Sequence, residues 1–350
     1  MEIHYTAINI YQYSYVKPLY REIGGDFIVH KPRAWIHLVK NFRGFDSQHP
    51  SRGLLGTQPK TRFHSFRKYD SLSGLLVSTI QFQFSRNPDR LTTINIGHGT
   101  GYKPARKKDP WGFDYYLIEG DMRLEYMRNT ERLEMDDAQI IKTGNLRFDD
   151  VINGRLDREQ ILKDFGVKDV TRPNIVFAPT WGWGRGTLLA NAQKLIEELS
   201  PEYNLFIRPH YYDWRNMGPI RKFVKAGDYD HVYLVEPWNI RTKDTMENLC
   251  IANLLISDNS SIAYQSLIFQ IPIVLVVADH DQLLLKPAEL DLNKVVDHWD
   301  ERTPIKPIVE ENLRTNKYRD DLKNMLDNCF YHNDGKATQR AVDFLKSIST

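Results

Sequence analysis

Residues 174–199 read NIVFAPTWGWGRGTLLANAQKLIEEL. The first seven, NIVFAPT, form a short apolar run, as expected of a strand buried on both faces. From Gly186 onward the apolar residues of GTLLANAQKLIEEL recur at helical spacing. Strand, glycine-rich turn and helix follow one another, and the pattern then repeats. YNLFIRPH (203–210) reads as a strand, and WRNMGPIRKFVKAG (214–227) as a helix broken near Pro219. HVYLVE (231–236), LLISD (254–258) and PIVLVV (272–277) are further strands. TMENLCIAN (245–253) and SIAYQSLIF (261–269) are the helices between them. Strands alternating with helices in this way build a parallel sheet covered on both faces.

The N-terminal half alternates less regularly. EIHYTAINI (2–10), FIVH (27–30), TTINIG (92–97), YYLIE (115–119) and AQIIKTG (138–144) are expected strands. Helices are expected near 14–23, 32–42 and 120–135. Residues 43–69, rich in Gly, Pro, Arg and aromatics, read as surface loops, which at that length are often functional. The polar stretch 153–173 ends in Pro and marks the boundary between two α/β domains facing each other across a cleft. The expected division is 1–160 and 161–335, with the last helix, 336–350, returning to the first domain.

The chain has 350 residues, 41% hydrophobic and 26% charged, as in ordinary globular proteins. No apolar run approaches the ~18 residues of a membrane span. The first residues lack a signal-peptide pattern, so a cytoplasmic protein is expected. Cys250 and Cys329 have no partner motif, which argues against a disulfide framework. The net charge of +2 hides an asymmetry. Residues 1–110 carry 17 Lys/Arg against 7 Asp/Glu, whereas the rest carries 30 against 38. That split fits either a solvated basic surface or an anionic partner such as an acidic glycan, a phospholipid face or a nucleic acid.

Ligands of open parallel sheets bind beyond the carboxyl ends of the strands. At one such end, Asp258-Asn259-Ser260-Ser261 runs from a strand into a helix. A helix N-terminus offers unpaired N–H groups and partial positive charge to phosphate, and the two hydroxyls would add donors. The competing reading is that the serines or Asp258 merely cap the helix. At another end lies Thr180-Trp181-Gly182, continuing through Gly184-Arg185-Gly186. Glycines there let a backbone approach a pyrophosphate, or simply form a turn. Together the two turns suggest a nucleotide-diphosphate pocket. Arg208 is a natural phosphate clamp, and His210 beside it is placed to share that task or to be structural. His98 lies between glycines after a strand, with Lys103 close behind. It suits a general base near neutral pH, or a turn histidine. No His, Cys and Asp spacing indicates a zinc site, and neither a GxSxG elbow nor a Walker A motif occurs.

These pieces, in this order, resemble the CDP-glycerol glycerophosphotransferase family of teichoic acid primases, polymerases and capsule transferases. The family's HG-T-P-x-K appears as His98-Gly99-Thr100-Gly101-Tyr102-Lys103. Its G-Y-P-R-x-D appears as Gly144-Asn145-Leu146-Arg147-Phe148-Asp149, and its APTWR as Ala178-Pro179-Thr180-Trp181 followed by Gly182. Its R-x-H-P appears as Arg208-Pro209-His210-Tyr211, and an acidic residue ahead of LITDYSS as Asp244 ahead of LISDNSS. The likeness runs from His98 to about Val277.

The resemblance implies a GT-B fold of two Rossmann-like domains facing across a cleft, the acceptor in the N-terminal one and the donor in the C-terminal one. No cofactor and usually no catalytic metal are implied. His98 and His210 would be catalytic. Thr180, Trp181, Gly182, Gly184, Arg185, Gly186, Arg208, Asp258, Asn259, Ser260, Ser261 and Gln265 would bind the donor. Gly99, Thr100, Lys103 and Arg147 would bind the acceptor. The partners implied are a nucleotide-activated donor and an anionic, lipid-linked acceptor, with peripheral membrane contact and no nucleic acid. Three departures stand out: Gly101 replaces Pro, Asn259 replaces Tyr, and Gln265 replaces an acid four residues beyond the second serine. If that acid contacts the donor, a nucleotide sugar is the alternative donor. YQYSYVKPLYREIGG (11–25) is also similar to the first helix of UDP-GlcNAc 2-epimerase-like proteins, although Gln265 lacks their carboxylate. A non-catalytic module binding anionic polymer is the remaining alternative.

Overall fold

A computed structural model describes residues 1–7, 9–30, 36, 61–63, 68–80, 84–98, 112–129, 136–182, 186–236, 244–258, 260–277 and 288–349. They form two compact units. Of the described residues, those of Met1–His98, Ala105–Asn153 and Phe330–Thr350 make the first, and those of Gly154–Cys329 make the second.

The first unit carries a seven-stranded sheet of order β3-β2-β1-β4-β5-β6-β7. Its strands are β1 (Ile3–Thr6), β2 (Asp26–Val29), β3 (Thr61–Phe63), β4 (Gly74–Ser78), β5 (Leu91–Asn95), β6 (Tyr115–Ile118) and β7 (Ile140–Lys142). Every pairing is parallel. Ile28, Leu76, Leu91, Tyr116 and Ile118 are buried in one core with Leu124 and Met127 of α2 (Asp121–Asn129). Burying each such side chain contributes about 1.5–3 kcal/mol, which is why these short strands persist without capping signals of their own. Two strands go beyond the sequence expectation. β4 is central, paired with both β1 and β5, yet GLLVS offers only five residues opened by a glycine. β3 lies within 43–69, the stretch expected to be loops, and pairs with β2. The expected helix at 14–23 is a 3-10 turn at Ile10–Tyr15 followed by α1 (Lys17–Ile23). The one expected near 32–42 lies outside the described residues except for Ile36.

The last helix joins this unit through a specific contact. Asp149, in α3 (Phe148–Ile152), accepts the backbone N–H groups of Ala337 and Thr338 at 3.0 and 2.7 Å. Those two residues open α11 (Ala337–Ser347), so a carboxylate 188 residues away in sequence meets its positive end. Tyr115 and Phe344 pack edge to face beside it, at 5.0 Å.

The second unit carries a six-stranded sheet of order β10-β9-β8-β11-β12-β13, again all parallel. The strands are β8 (Asn174–Ala178), β9 (Asn204–Ile207), β10 (Val232–Leu234), β11 (Leu254–Ser257), β12 (Ile273–Val276) and β13 (Asp297–Trp299). α4 (Arg158–Asp164), α5 (Leu188–Leu199), α6 (Met217–Ala226), α7 (Thr245–Ile251), α8 (Ser261–Gln265), α9 (Lys306–Thr315) and α10 (Arg319–Cys329) cover it. The apolar stripe of α5, Leu188, Ala192, Leu195, Ile196 and Leu199, is buried against Ile175, Phe177 and Ile207. The break expected near Pro219 falls just before α6, where a 3-10 turn at Tyr211–Asn216 hands over to the helix. Among the described residues no helix is long and apolar enough to cross a membrane.

Candidate functional site

In both sheets the chain order reverses between two neighbouring strands, β1 and β4 in the first unit and β8 and β11 in the second. Open parallel sheets bind ligands beyond the carboxyl ends of the strands at such points.

In the second unit, β8 and β11 lead into Thr180 and Asp258, and one carboxylate organises the whole turn. Asp258 is buried, and its Oδ1 accepts the N–H of Thr180 at 2.7 Å. Its Oδ2 accepts the N–H and the hydroxyl of Thr187 at 3.1 and 3.0 Å. The loop is therefore anchored at both ends. Gly186 donates to the carbonyl of Trp181 at 2.9 Å, and a Cβ on Gly186 would lie 1.9 Å from the carbonyl oxygen of Thr180. Only glycine fits that crossing.

Around this anchored loop stand the polar groups. Arg208, at the end of β9, donates from Nη2 to the hydroxyl of Thr245 at 2.8 Å, which aims the guanidinium. His210 accepts the N–H of Tyr212 on Nδ1 at 3.3 Å. A neutral ring that accepts at Nδ1 carries its proton on Nε2 and presents a donor there. The ring stacks on Trp181 at 6.0 Å between centroids, and Trp181 lies 5.0 Å from the ring of Tyr212. Ser260 is the N-cap residue of α8, but its hydroxyl makes no capping hydrogen bond. This counts against capping as its purpose. The arrangement offers donors and a positive charge to an anion, beside an aromatic surface.

In the first unit, His98 follows β5 and is exposed. Its Nδ1 lies 2.6 Å from the carbonyl oxygen of Thr79, just beyond β4. A carbonyl only accepts, so Nδ1 carries the proton and Nε2 holds the basic lone pair. Gln12, beyond the end of β1, brings its Nε2 to 2.9 Å from that nitrogen. Tyr11 and Tyr15 set ring edges against the imidazole, with centroids at 6.3 and 6.4 Å. Beneath the turn, Arg123 donates to the Ile96 carbonyl at 2.8 Å and to Asn95 Oδ1 at 2.7 Å. Burial lowers its pKa from the usual value, and the charge of Glu119 opposes that shift. Its guanidinium fills the place of a Gly97 side chain, because a Cβ there would lie 1.4 Å from Nη1.

The remaining expected residues are distributed as follows. Thr180 and Asp258 are buried, and the hydrogen bonds above go to the loop's frame. Gln265 ends α8 and is 2% exposed, so it adds little surface to this site. Arg147 is buried, its guanidinium 4.5 Å from the centroid of the Tyr15 ring. Gly182 donates to Asp213 Oδ1 at 3.2 Å. Gly99, Thr100, Lys103, Gly184, Arg185 and Asn259 lie outside the described residues. Gln12, Thr79, Thr187, Tyr212 and Thr245 carry no motif and become visible only in the fold. Among the described residues no cluster of three or more His, Cys, Asp or Glu could hold a metal ion.

A family model described as CDP-glycerol:poly(glycerophosphate) glycerophosphotransferase matches residues 92–347. The chain belongs to that family. It is therefore an enzyme, a transferase of the glycerophosphotransferase type. Among solved structures it is similar to the wall teichoic acid polymerase TagF soaked with CDPG. The identity there is 18% and the TM-score 0.64, over 99% of this chain and 88% of that one. It is also similar to Staphylococcus aureus MnaA in complex with UDP, at 11% identity and TM-score 0.57, over 99% and 96%. A third likeness is to UDP-GlcNAc 2-epimerase of Neisseria meningitidis bound to UDP-GlcNAc, at 12% and 0.60, over 99% and 100%. At these identities the structures establish the fold alone, a GT-B fold with two Rossmann-like domains. No curated protein matches the chain.

Proposed function

We propose that this glycerophosphotransferase moves glycerol phosphate from CDP-glycerol to a hydroxyl of a teichoic acid precursor, with His98 as the general base. The fixed tautomer of His98 carries the reading: the Thr79 carbonyl holds the proton on Nδ1, which puts the basic lone pair on Nε2, the atom that takes the proton of a substrate hydroxyl. The acceptor oxygen attacks the phosphorus that bears glycerol, and its proton passes to Nε2. The bond from that phosphorus to the bridging oxygen breaks, and CMP leaves with the electron pair. Arg208, the Nε2–H of His210 and the hydroxyls of Ser260 and Ser261 stabilise the negative charge that gathers on the phosphates.

In this reading the second unit holds the donor and the first holds the acceptor. Trp181 and Tyr212 supply a surface on which the nucleotide base can stack. The basic residues among 1–110 attract an anionic, lipid-linked acceptor and bring the enzyme to the inner membrane face as a peripheral protein. The burial of Gln265 bears on donor choice. Gln265 is 2% exposed, which supports reading its departure from the family pattern as packing rather than as the mark of a sugar donor.

The test is a thermal-shift panel of CDP-glycerol and UDP-, GDP- and CMP-sugars, followed by CMP release on adding a glycerol phosphate oligomer. A ligand at 100 times its Kd stabilises by about 2.7 kcal/mol. CDP-glycerol should raise the melting temperature most and support oligomer extension. Preference for a nucleotide sugar in both assays would replace this donor assignment.

A further inference from the structure

Nε2 of His98, the atom that takes the proton if His98 is the base, is already engaged. Gln12 lies in the 3-10 turn Ile10–Tyr15, between β1 and α1, and is 2% exposed. Its Oε1 accepts the backbone N–H of Asn9 at 2.8 Å, while its own backbone N–H donates to the Asn9 carbonyl at 3.0 Å. Turning the amide over would set NH2 against the Asn9 N–H, so its orientation is fixed by the backbone. The group lying 2.9 Å from His98 Nε2 is therefore the NH2, and it donates to the ring's lone pair.

The geometry points to Gln12 as a guard on the base: its amide N–H covers the His98 lone pair until an acceptor hydroxyl displaces it, which limits loss of the donor to water. The proposal rests on the reading of His98 as the base. A polymer acceptor brings further contacts that offset displacement of the amide, and a water molecule brings none. In the reaction held back, a water oxygen attacks the glycerol-bearing phosphorus and the bridging P–O bond breaks. The water proton goes to His98 Nε2, and CMP and glycerol phosphate are released.

The experiment measures CMP release from CDP-glycerol with and without a glycerol phosphate oligomer, in wild type, Gln12→Met, Gln12→Ala and His98→Ala. Methionine keeps the length of the side chain and removes the N–H. One neutral hydrogen bond corresponds to a factor of about 2–13. The ratio of acceptor-free to acceptor-dependent release should rise by that factor in Gln12→Met, and Gln12→Ala gives the same readout should methionine fit poorly. A ratio equal to wild type in a folded variant overturns the guard, because a residue that only shapes the turn would change the melting temperature and leave the ratio alone. The control separates the two ideas. Transfer that survives His98→Ala removes the base and the guard together, whereas transfer lost there with an unchanged Gln12→Met ratio removes only the guard.

Discussion

Asp258 holds Thr187 twice, taking both its backbone N–H and its hydroxyl on a single carboxylate oxygen. The other oxygen holds Thr180, so the glycine-rich loop of the second unit is clamped at its two ends. Asp258→Asn would set an amide NH2 against the Thr187 N–H or lose the bond to Thr180. An unsatisfied buried group costs about 1–3 kcal/mol. The urea midpoint should fall accordingly, and nucleotide affinity should fall with it as the loop loosens. An unchanged midpoint would show that the clamp contributes nothing.

Ser260 gives the opposite expectation, since its hydroxyl does not cap α8. Ser260→Ala with Ser261→Ala should leave the melting temperature close to wild type. Donor affinity should weaken by about 0.5–1.5 kcal/mol for each lost neutral hydrogen bond. Calorimetric titration of CDP-glycerol checks this, and wild-type affinity in the double variant would remove the serines from the donor site.

Gly97 has φ of +62° and leaves its side-chain space to Arg123. Gly97→Ala must displace the guanidinium as well as strain the backbone, at about 1–3 kcal/mol for the backbone alone. Turnover should fall more than the loss of folded protein explains, because the turn that aims His98 moves. A variant as stable and active as wild type would contradict this account of the turn.

Asp297 and Lys317 provide a pH test remote from the site. Burial opposes ionisation of Asp297, but hydrogen bonds from Lys317 and Asn312 outweigh it and hold the carboxyl below its usual range. The hydrogen bond to Asp297 raises the pKa of Lys317. A depressed carboxyl stabilises the fold above its unfolded value, about 3.9, and that stability is lost as the pH falls through the folded value. Lys317→Met should therefore lower the urea midpoint at pH 7. Its difference from wild type should shrink below about pH 4, where protonation of Asp297 removes the pair in wild type as well. A difference that stays constant down to about pH 2, well below the unfolded carboxyl value, would count against the linkage.

The second unit is the more legible half of the sequence, for a physical reason. Its central strands are unbroken apolar runs buried on both faces, and LLIS and NIVFA need no partner to be recognised. β4 and β13 lack that signal because GLLVS is opened by a glycine and DHW is three residues with two polar side chains, and their strand character comes from the neighbours they pair with. The site divides in the same way. His98, Arg208 and Ser260 stand at strand ends and carry distinctive chemistry. Gln12 is an ordinary amide in a short turn, 86 residues from the histidine it bonds, and only the fold brings them together. Asp258 is visible as a strand-end acid, but its use as the frame of a loop depends on Thr187, 71 residues earlier.

The most direct test of the account is His98→Ala, measured for CMP release, CDP-glycerol affinity and melting temperature on the same preparation. A general base contributes roughly 100- to 10,000-fold. Acceptor-dependent turnover should drop within that range with donor affinity close to wild type, a fall far larger than any loss of folded protein from the missing bonds to Thr79 and Gln12 explains. Turnover within a few fold of wild type would contradict the assignment of His98 as the base.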